Sequence, residues 1–366
     1  MWQRMLINLG KPLVGGAGVG LGLGLALLVH SAAAMPFGDE GDDRGGLRAL
    51  EQRVDLLEAR VKTDEATIAS QQALLKGISR GPDANGYDTL TLSAVNVKVV
   101  NGSGSEQSAN GLGNLIIGYA DNLLGLPRTG SHNLVTGNNN GWSTWGGFIG
   151  GEENLVSGNA SAVVGGLGNT ASGMWSVISG GNANTASGTE AAVGGGHHNT
   201  ASGGSTTVVG GDNNVAALSA AVVSGGRNNL AGGPYSSISG GNGGQALATY
   251  ASISGGQSGI VQQSGRLASI SGGLGNIASG VAAHVGGGQG NTASGLAAHV
   301  SGGLGNTASG DESSVAGGQS NTVSAFAAAL LGGRERLLDR ACGTFPPFDL
   351  LPGGSPTPPP PICTES

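Results

Sequence analysis

Pairs of adjacent glycines recur every 15 residues through the second half of the chain. After one two-residue insertion the spacing resumes, and each unit reads approximately G-G-x-x-N-T-A-S-G-x-x-S/A-x-V/I-x. A short fixed period is typical of a solenoid, in which each repeat forms one coil stacked on its neighbours. We therefore predict an elongated stack of coils over residues 150–333. The pairs begin at residues 150, 165, 180, 195, 210, 225, 240, 255, 272, 287, 302, 317 and 332.

Each unit is numbered here from the first glycine of its pair, and position 14 is a branched aliphatic residue in all twelve units. Positions 12 and 14 alternate with 13 and 15, as on a β-strand whose two faces differ. Glycines at positions 1, 2 and 9 predict corners that need a positive φ or close backbone approach. The predicted fold class is therefore all-β, a parallel β-roll of 15-residue coils. The predicted core stripe is Val163, Ile178, Val193, Val208, Val223, Ile238, Ile253, Ile270, Val285, Val300 and Val315.

Position 5 is asparagine in ten of the twelve units, and Gly244 and Gly259 occupy the other two. A column of identical amides can hydrogen-bond along a stack, each amide donating to the next. We predict a structural ladder, and a row of ligand-binding amides is the alternative. The ladder residues are Asn154, Asn169, Asn184, Asn199, Asn214, Asn229, Asn276, Asn291, Asn306 and Asn321.

A heptad pattern over residues 47–80 precedes the array and predicts a short coiled coil. The alternative is one amphipathic helix packed on its own domain. The polar residues at two d positions leave a trimer and a dimer both open, and Gly81-Pro82 is expected to end the helix. The a positions are Leu47, Val54, Val61, Ile68 and Leu75, and the d positions are Leu50, Leu57, Asp64, Gln71 and Ile78.

The N-terminal segment carries the features of an export signal. Residues 1–34 combine basic residues, an apolar stretch and a small-residue cleavage motif, which indicates a signal peptide or an uncleaved membrane anchor. Residues 35–46 are predicted to be a flexible linker. In the Pro-rich tail, Cys342 and Cys363 can form a disulfide, an intermolecular bridge or free thiols.

The segments that flank the array are less regular. Residues 81–149 predict a connector strand over Leu90–Val100, followed by irregular capping coils in insertions that contain Trp142 and Trp145. Residues 334–366 predict a short capping helix over residues 334–340 and then a Pro-rich tail.

Charge and chemistry exclude several classes of function. The array contains no Lys and only two Arg, so neither nucleic acid nor an anionic membrane is an expected partner. We expect no catalytic site, no cofactor and no metal site, and hence no enzyme. His284 and His299 share position 13 in adjacent coils, but no carboxylate or cysteine accompanies them, which favours a surface substitution. The Thr column at position 6 is too interrupted to favour an ice-binding or carbohydrate-binding plane.

The predicted interior is thin, because one coil contributes little more than one aliphatic residue and some alanines. Such burial is marginal against a backbone entropy of about 1–2 kcal/mol per residue. A second interface between three parallel copies would bury the outward valines and complete the core. The homotrimer is thus expected from the weak core as well as from the heptads. The outward valines are Val164, Val177, Val209 and Val222.

The repeats resemble the head domain of YadA-like trimeric autotransporter adhesins, through Ser176–Gly181 and Ser313–Gly318 and the units around them. The resemblance covers about residues 111–333 and implies a left-handed parallel β-roll and an adhesive role. That family has a 14-residue repeat and a C-terminal membrane barrel, which this sequence does not match. We expect a secreted or cell-surface protein that binds host, matrix, glycan or neighbouring cells. The alternative is a structural spacer or fibre component with no ligand of its own.

Overall fold

The structure is a computed structural model that describes residues 42–340. The chain divides between Asn96 and Val97 into two units. The predicted signal peptide (1–34), residues 35–41 of the predicted linker, and Cys342 and Cys363 in the tail lie outside the described residues.

The first unit begins with a helix, α1, over Asp42–Leu74. The prediction of a linker up to residue 46 was wrong, because the helix already includes Gly45 and Gly46. Extending an existing helix gains a hydrogen bond per residue without a new nucleation step. Its other end was also predicted too late. Gly77, with a φ of +90°, follows the last turn, so Leu75 and Ile78 are not helical.

After the helix, an antiparallel hairpin replaces the predicted continuation of the heptads. Strand β1 (Ile78–Pro82) pairs with strand β2 (Asp88–Leu92). Asp83 closes the turn by accepting hydrogen bonds from the backbone N–H groups of Asn85 and Tyr87. The predicted strand over Leu90–Val100 was therefore too long. It ends at Leu92 because β1 offers only five partner residues and Ala94 adopts a positive φ of 55°.

The second unit is a parallel β-solenoid whose coils carry two strands each, as predicted. Strands at positions 13 and 14 form a 15-stranded sheet, named sheet I, in which each strand pairs with the strand one coil away. Its strands are Leu115–Ile117, Leu134–Thr136, Phe148–Ile149, Ala162–Val163, Val177–Ile178, Ala192–Val193, Thr207–Val208, Val222–Val223, Ser237–Ile238, Ser252–Ile253, Ser269–Ile270, His284–Val285, His299–Val300, Ser314–Val315 and Ala329–Leu330.

Strands at positions 6 and 7 form the second sheet of the solenoid, named sheet II, with 14 strands. A third line of contacts runs through position 3, where single parallel bridges join successive coils. The strands of sheet II are Gly141–Trp142, Leu155–Val156, Thr170–Ala171, Thr185–Ala186, Thr200–Ala201, Val215–Ala216, Leu230–Ala231, Gln245–Ala246, Ile260–Val261, Ile277–Ala278, Thr292–Ala293, Thr307–Ala308, Thr322–Val323 and Leu337–Leu338.

The core lies between the two sheets. All eleven residues of the predicted stripe at position 14 are buried, and position 7 of sheet II faces them with Ala or Val. Trp142 occupies the equivalent of position 7 in the first strand of sheet II, where it is buried and pairs with Val156. The guanidinium of Arg128 lies 4.8 Å from the centre of the Trp142 ring. This pair thus covers the beginning of the apolar interior.

The other end of the solenoid differs from the prediction. The segment from Arg334 does not form a capping helix. Arg334 continues the position 3 line by bridging Gln319, and Leu337–Leu338 is the last strand of sheet II. The exposed backbone edge of the preceding coil accounts for this, because it offers unpaired groups that an added strand satisfies at once.

In each coil the backbone N–H groups at positions 4 and 11 donate to the preceding coil, whereas those of the strand residues donate to the following coil. At position 11, Trp175 has a φ of 58°, and its N–H donates to the carbonyl of Asn159 in the preceding coil. At position 13, the N–H of Val177 donates instead to Ala191 in the following coil. Position 4 behaves like position 11, as Ala183 shows with a φ of 55° and a bond to Leu167 of the preceding coil. Successive coils are therefore bonded in both directions.

Of the predicted glycine corners, position 2 is the one that needs a left-handed backbone. Gly166 has a φ of +88°, and a Cβ there would overlap the carbonyl oxygen of Gly181 in the next coil. At position 9 most units have glycine for space rather than for its φ, because a Cβ at Gly173 would overlap the carbonyl oxygen of Gly188, but Leu218, Ala248 and Ala325 occupy this position in three units. Gly165, at position 1, has open space where its Cβ would lie.

Candidate functional site

The asparagine column forms a continuous buried line beside the core. Each of the ten predicted asparagines is buried almost completely. The Nδ2 group of Asn199 donates to the carbonyl of Gly195 in its own coil at 2.8 Å and to that of Gly211 in the next coil at 2.9 Å. Its Oδ1 accepts the backbone N–H of Asn214 at 3.0 Å. Each side chain therefore joins two coils by three hydrogen bonds.

This pattern differs from the predicted ladder of amides donating to one another. Only between Asn184 and Asn169 does an Nδ2 group also reach an Oδ1 within the described column, at 3.1 Å. The carbonyls of positions 1 and 2 turn toward the side chain because of the left-handed glycine at position 2, so the amide binds main chain instead. Both N–H bonds and the carbonyl oxygen of each side-chain amide are thus engaged with main chain inside the protein. This disfavours the alternative of a row of ligand-binding amides.

The column contains one extension and one gap. Asn140, which the sequence reasoning missed, carries it one coil earlier by accepting the N–H of Asn154 at 2.9 Å. Asn140 lies 14 rather than 15 residues before Asn154 and is the last of three successive asparagines, so the 15-residue spacing did not identify it. The gap lies at Gly244 and Gly259. Asn229 still accepts the N–H of Gly244 at 2.9 Å, but no side chain continues the line to Asn276.

The corner between positions 9 and 12 presents side chains to solvent. It is closed by a hydrogen bond from the position 12 N–H to the position 9 carbonyl, as from Ser176 to Gly173 at 3.2 Å. The left-handed residue at position 11 gives it the φ pattern of a type II turn. Glycine is the favoured residue there, yet none of the twelve units has it. We name the side chains of positions 10 and 11 the corner ridge.

The corner ridge carries much of the exposed apolar surface of the array. Trp175 and Tyr235 are 52% and 54% exposed. The rings of Tyr235 and Tyr250, one coil apart, stack with centroids 5.0 Å apart and an angle of 17°. The left-handed backbone costs a non-glycine residue about 1–2 kcal/mol. The chain therefore has side chains at position 11 although glycine would be less strained there. The exposed apolar members are Met174, Trp175, Tyr235, Tyr250, Leu267, Val281, Leu296 and Phe326.

The outward face of sheet I changes character along the solenoid. Its first half presents the predicted outward valines, of which Val164, Val177 and Val209 are exposed and Val222 is half-buried. Its second half presents serines at position 13 and then His284 and His299. A single chain thus exposes several valines on the first half of this face, between serine and threonine residues, and mainly serine and histidine on the second half.

His284 and His299 are paired in register on adjacent strands of sheet I. Their rings stack with centroids 5.1 Å apart and an angle of 15°. Ser269 Oγ lies 2.8 Å from Nδ1 of His284. Burial, and then the neighbouring His299 ring, lower the pKa of His284 below its usual value.

A second polar group lies on the position 3 line. His197 Nδ1 is 3.0 Å from Asp212 Oδ1, and Arg227 Nε is 3.1 Å from the other oxygen of that carboxylate. The hydrogen bond with His197 is the main cause that lowers the pKa of Asp212, and the charge of Arg227 adds to it. Because both oxygens of Asp212 are engaged by groups that favour its charge, the carboxylate is a structural partner rather than a free acid.

The threonines at position 6 lie half-buried on the outer face of sheet II, in two runs of three successive coils. Thr170, Thr185 and Thr200 form the first run, and Thr292, Thr307 and Thr322 form the second. Between them Val215, Leu230, Gln245, Ile260 and Ile277 occupy the same column. The hydroxyl rows are therefore short, as the sequence indicated.

Within residues 42–340, no group of three or more His, Cys, Asp or Glu side chains is arranged to hold a metal ion. In the same part of the chain, no helix has the length and apolar character needed to span a membrane. No protein-family model matches the chain, and no curated protein is significantly similar to it. Function must therefore be argued from the faces of the solenoid and from α1.

Proposed function

We propose that the protein is an exported, oligomeric β-solenoid that binds other surfaces or macromolecules through its repeated outer faces, without catalysis. The proposal rests first on α1. Its heptad residues Leu50 and Leu57 are 62% and 58% exposed in the single chain, and Leu47, Val54, Val61 and Ile68 are exposed as well. Complete burial of a fully exposed aliphatic side chain contributes about 1.5–3 kcal/mol, and each of these part-exposed side chains would contribute a fraction of that to an assembly. Parallel copies of the same helix are the simplest partner for this stripe.

The outward valines of sheet I support the same assembly. Exposed apolar patches on a soluble protein mark interaction sites, and Val164, Val177 and Val209 lie on the outward face of sheet I in the first, second and fourth units of the array. Contact between copies through this face would add to the apolar burial that the heptads of α1 provide. We propose a homotrimer, in which the C-terminal half of the face stays polar and the corner ridge points to solvent.

The exposed aromatic side chains of the corner ridge are the observation that carries the adhesive role. Trp and Tyr are enriched in binding surfaces because they bury much area and lose few rotamers. Here Trp175, Tyr235 and Tyr250 project from turns that would be less strained with glycine. A host or matrix protein, a glycan or a neighbouring cell would be bound along this edge. Export through residues 1–34 would bring the protein to such a partner.

Binding of the full chain to panels of matrix proteins, glycans and cells tests this role. The variant W175S/Y235S/Y250S removes the ridge aromatics and is expected to lose most of the binding. Its matched control, L167S/L274S/L304S, removes exposed leucines from position 3 at the opposite corner and should bind as the unmodified chain does. Equal binding by both variants would contradict the proposal.

A structural spacer is the second candidate, and the buried asparagine column favours it. Over most of the array this column gives each coil the same hydrogen bonds to the next coil. The same binding panel separates the two functions. A rod that is intact by electron microscopy and binds no member of the panel would support the spacer.

A further inference from the structure

Two histidines lie side by side on the outer face of sheet I. His284 and His299 stand directly opposite each other on adjacent parallel strands. Their imidazole rings lie nearly parallel, with centroids 5.1 Å apart. Two nitrogens bound to the same Zn²⁺ ion lie about 3–4 Å apart, given a Zn–N distance of ~2.0–2.1 Å. The lone pairs of parallel rings do not converge, so binding of one ion requires the two half-buried rings to rotate about their side-chain torsions until both nitrogens face the same point.

A serine hydroxyl lies near the Nδ1 atom of each ring. Ser269 Oγ is 2.8 Å from Nδ1 of His284, and Ser301 Oγ is 3.5 Å from Nδ1 of His299. In the tautomer whose Nδ1–H donates to this hydroxyl, Nε2 carries the lone pair and is the atom that can bind a metal ion. Within the described residues, Nε2 of neither ring has a hydrogen-bond partner. Both Nε2 atoms are therefore available on one surface.

The surroundings of the pair suit a cation. Ser269, Ser301 and Ser314 lie beside the rings on this face, and no Lys or Arg occupies position 13 or 15 in any of the twelve units. His197 offers the contrast. Its Nδ1 is bound to Asp212, and Arg227 engages the same carboxylate, so a cation there would meet a charge already neutralised by a fixed guanidinium.

We propose that His284 and His299 bind one divalent transition-metal ion through their Nε2 atoms. Imidazole nitrogen suits Zn²⁺, Cu²⁺ and Ni²⁺. With two protein ligands, the remaining coordination positions hold water or a donor from a bound partner. The site uses one chain only, so it does not depend on the trimer or on adhesion.

Titration of the full chain, without a histidine tag, with Zn²⁺ tests the proposal by calorimetry. One ion per chain is expected. His284→Asn and His299→Asn should each weaken binding about tenfold or more, because either change removes the second, intramolecular contact. His197→Asn is the matched control and should bind Zn²⁺ as the unmodified chain does. Far-UV circular dichroism of the three metal-free variants checks that each keeps the solenoid.

Nuclear magnetic resonance identifies the atoms involved. Long-range ¹H–¹⁵N spectra of the histidine side chains should show Zn²⁺ shifting the Nε2 signals of two rings, and each variant should remove one of them. Unchanged affinity in either folded variant, or shifts confined to other histidines, would overturn the proposal. A loss in one variant only would also overturn it, since that result describes a single imidazole.

Discussion

The Oδ1 atom of Asn184 accepts a hydrogen bond of 2.9 Å from the backbone N–H of Asn199, one coil further along the solenoid. The same relationship links nearly every pair of neighbouring asparagines at position 5. It converts a polar residue, which is costly to bury alone, into a connector between main chains. Stability of the stack should therefore depend on this column as much as on the thin apolar stripe.

Replacing one ladder residue tests this dependence. Asn199→Ala removes three hydrogen bonds and leaves the N–H of Asn214 buried without its acceptor. We expect the free energy of unfolding to fall by about 2–4 kcal/mol, measured by urea denaturation. Asn182→Ala is the control, since the Asn182 side chain lies at position 3 and is half-buried. A similar loss in both variants would argue against a special role for the column.

The gap in the column offers the opposite test. Neither Gly244 nor Gly259 has a positive φ, and an added Cβ meets no atom closer than 3.2 Å. The double variant G244N/G259N should restore the missing bonds and raise the free energy of unfolding by about 1–3 kcal/mol. Gly204→Asn, at an exposed site with open space, separates this gain from the simple loss of a glycine. Thermal unfolding that ranks the double variant no higher than the control would refute the repair.

The two glycines of one pair should respond differently to alanine. Gly166→Ala forces a Cβ into the carbonyl oxygen of Gly181 at a φ of +88°, whereas Gly165→Ala meets open space. We expect a loss of about 2–4 kcal/mol for the first and less than about 0.5 kcal/mol for the second. Chemical denaturation of both variants measures the difference. Equal losses would show that the coils can shift to accommodate a side chain.

The heptads of α1 predict an oligomer that one charge can dissociate. Leu57→Asp places a carboxylate at a d position, and Ala59→Asp places the same group at the opposite f position. Analytical ultracentrifugation should give a trimer mass for the unmodified chain and for Ala59→Asp, and a reduced mass for Leu57→Asp. A single-chain mass for the unmodified protein at micromolar concentration would contradict the trimer.

The pKa of Asp212 predicts a contribution to stability at neutral pH that is lost in acid. Its hydrogen bond with His197 lowers the folded-state pKa, so the folded form releases this proton more readily than the unfolded form. The contribution is present above the unfolded pKa of about 4 and disappears as the pH falls through the folded value. Asp212→Asn should therefore be less stable than the unmodified chain at pH 7, and the difference should shrink at pH 3. Unfolding curves at both pH values measure it.

The sequence alone determined the coil length, the buried stripe and the parallel stacking. The 15-residue period is regular over the array apart from one insertion, so it gives the length of each coil directly. The alternation of a strand assigns Val163 and Ile178 to the interior. Only the tertiary structure decided what the asparagines bind, because their partners are carbonyls of the next coil whose direction depends on the φ of Gly166 and its equivalents.

The left-handed residues at positions 4 and 11 were likewise beyond sequence reasoning. Residue types such as Trp175 and Tyr235 disfavour that conformation, and the hydrogen bonds between coils impose it. The end of α1 also depended on the tertiary structure. The heptad spacing continues through Leu75 and Ile78, but the chain from Ile78 onward is a strand that pairs with β2. Periodicity is a local property of the sequence, whereas these features depend on contacts between segments that only the folded chain brings together.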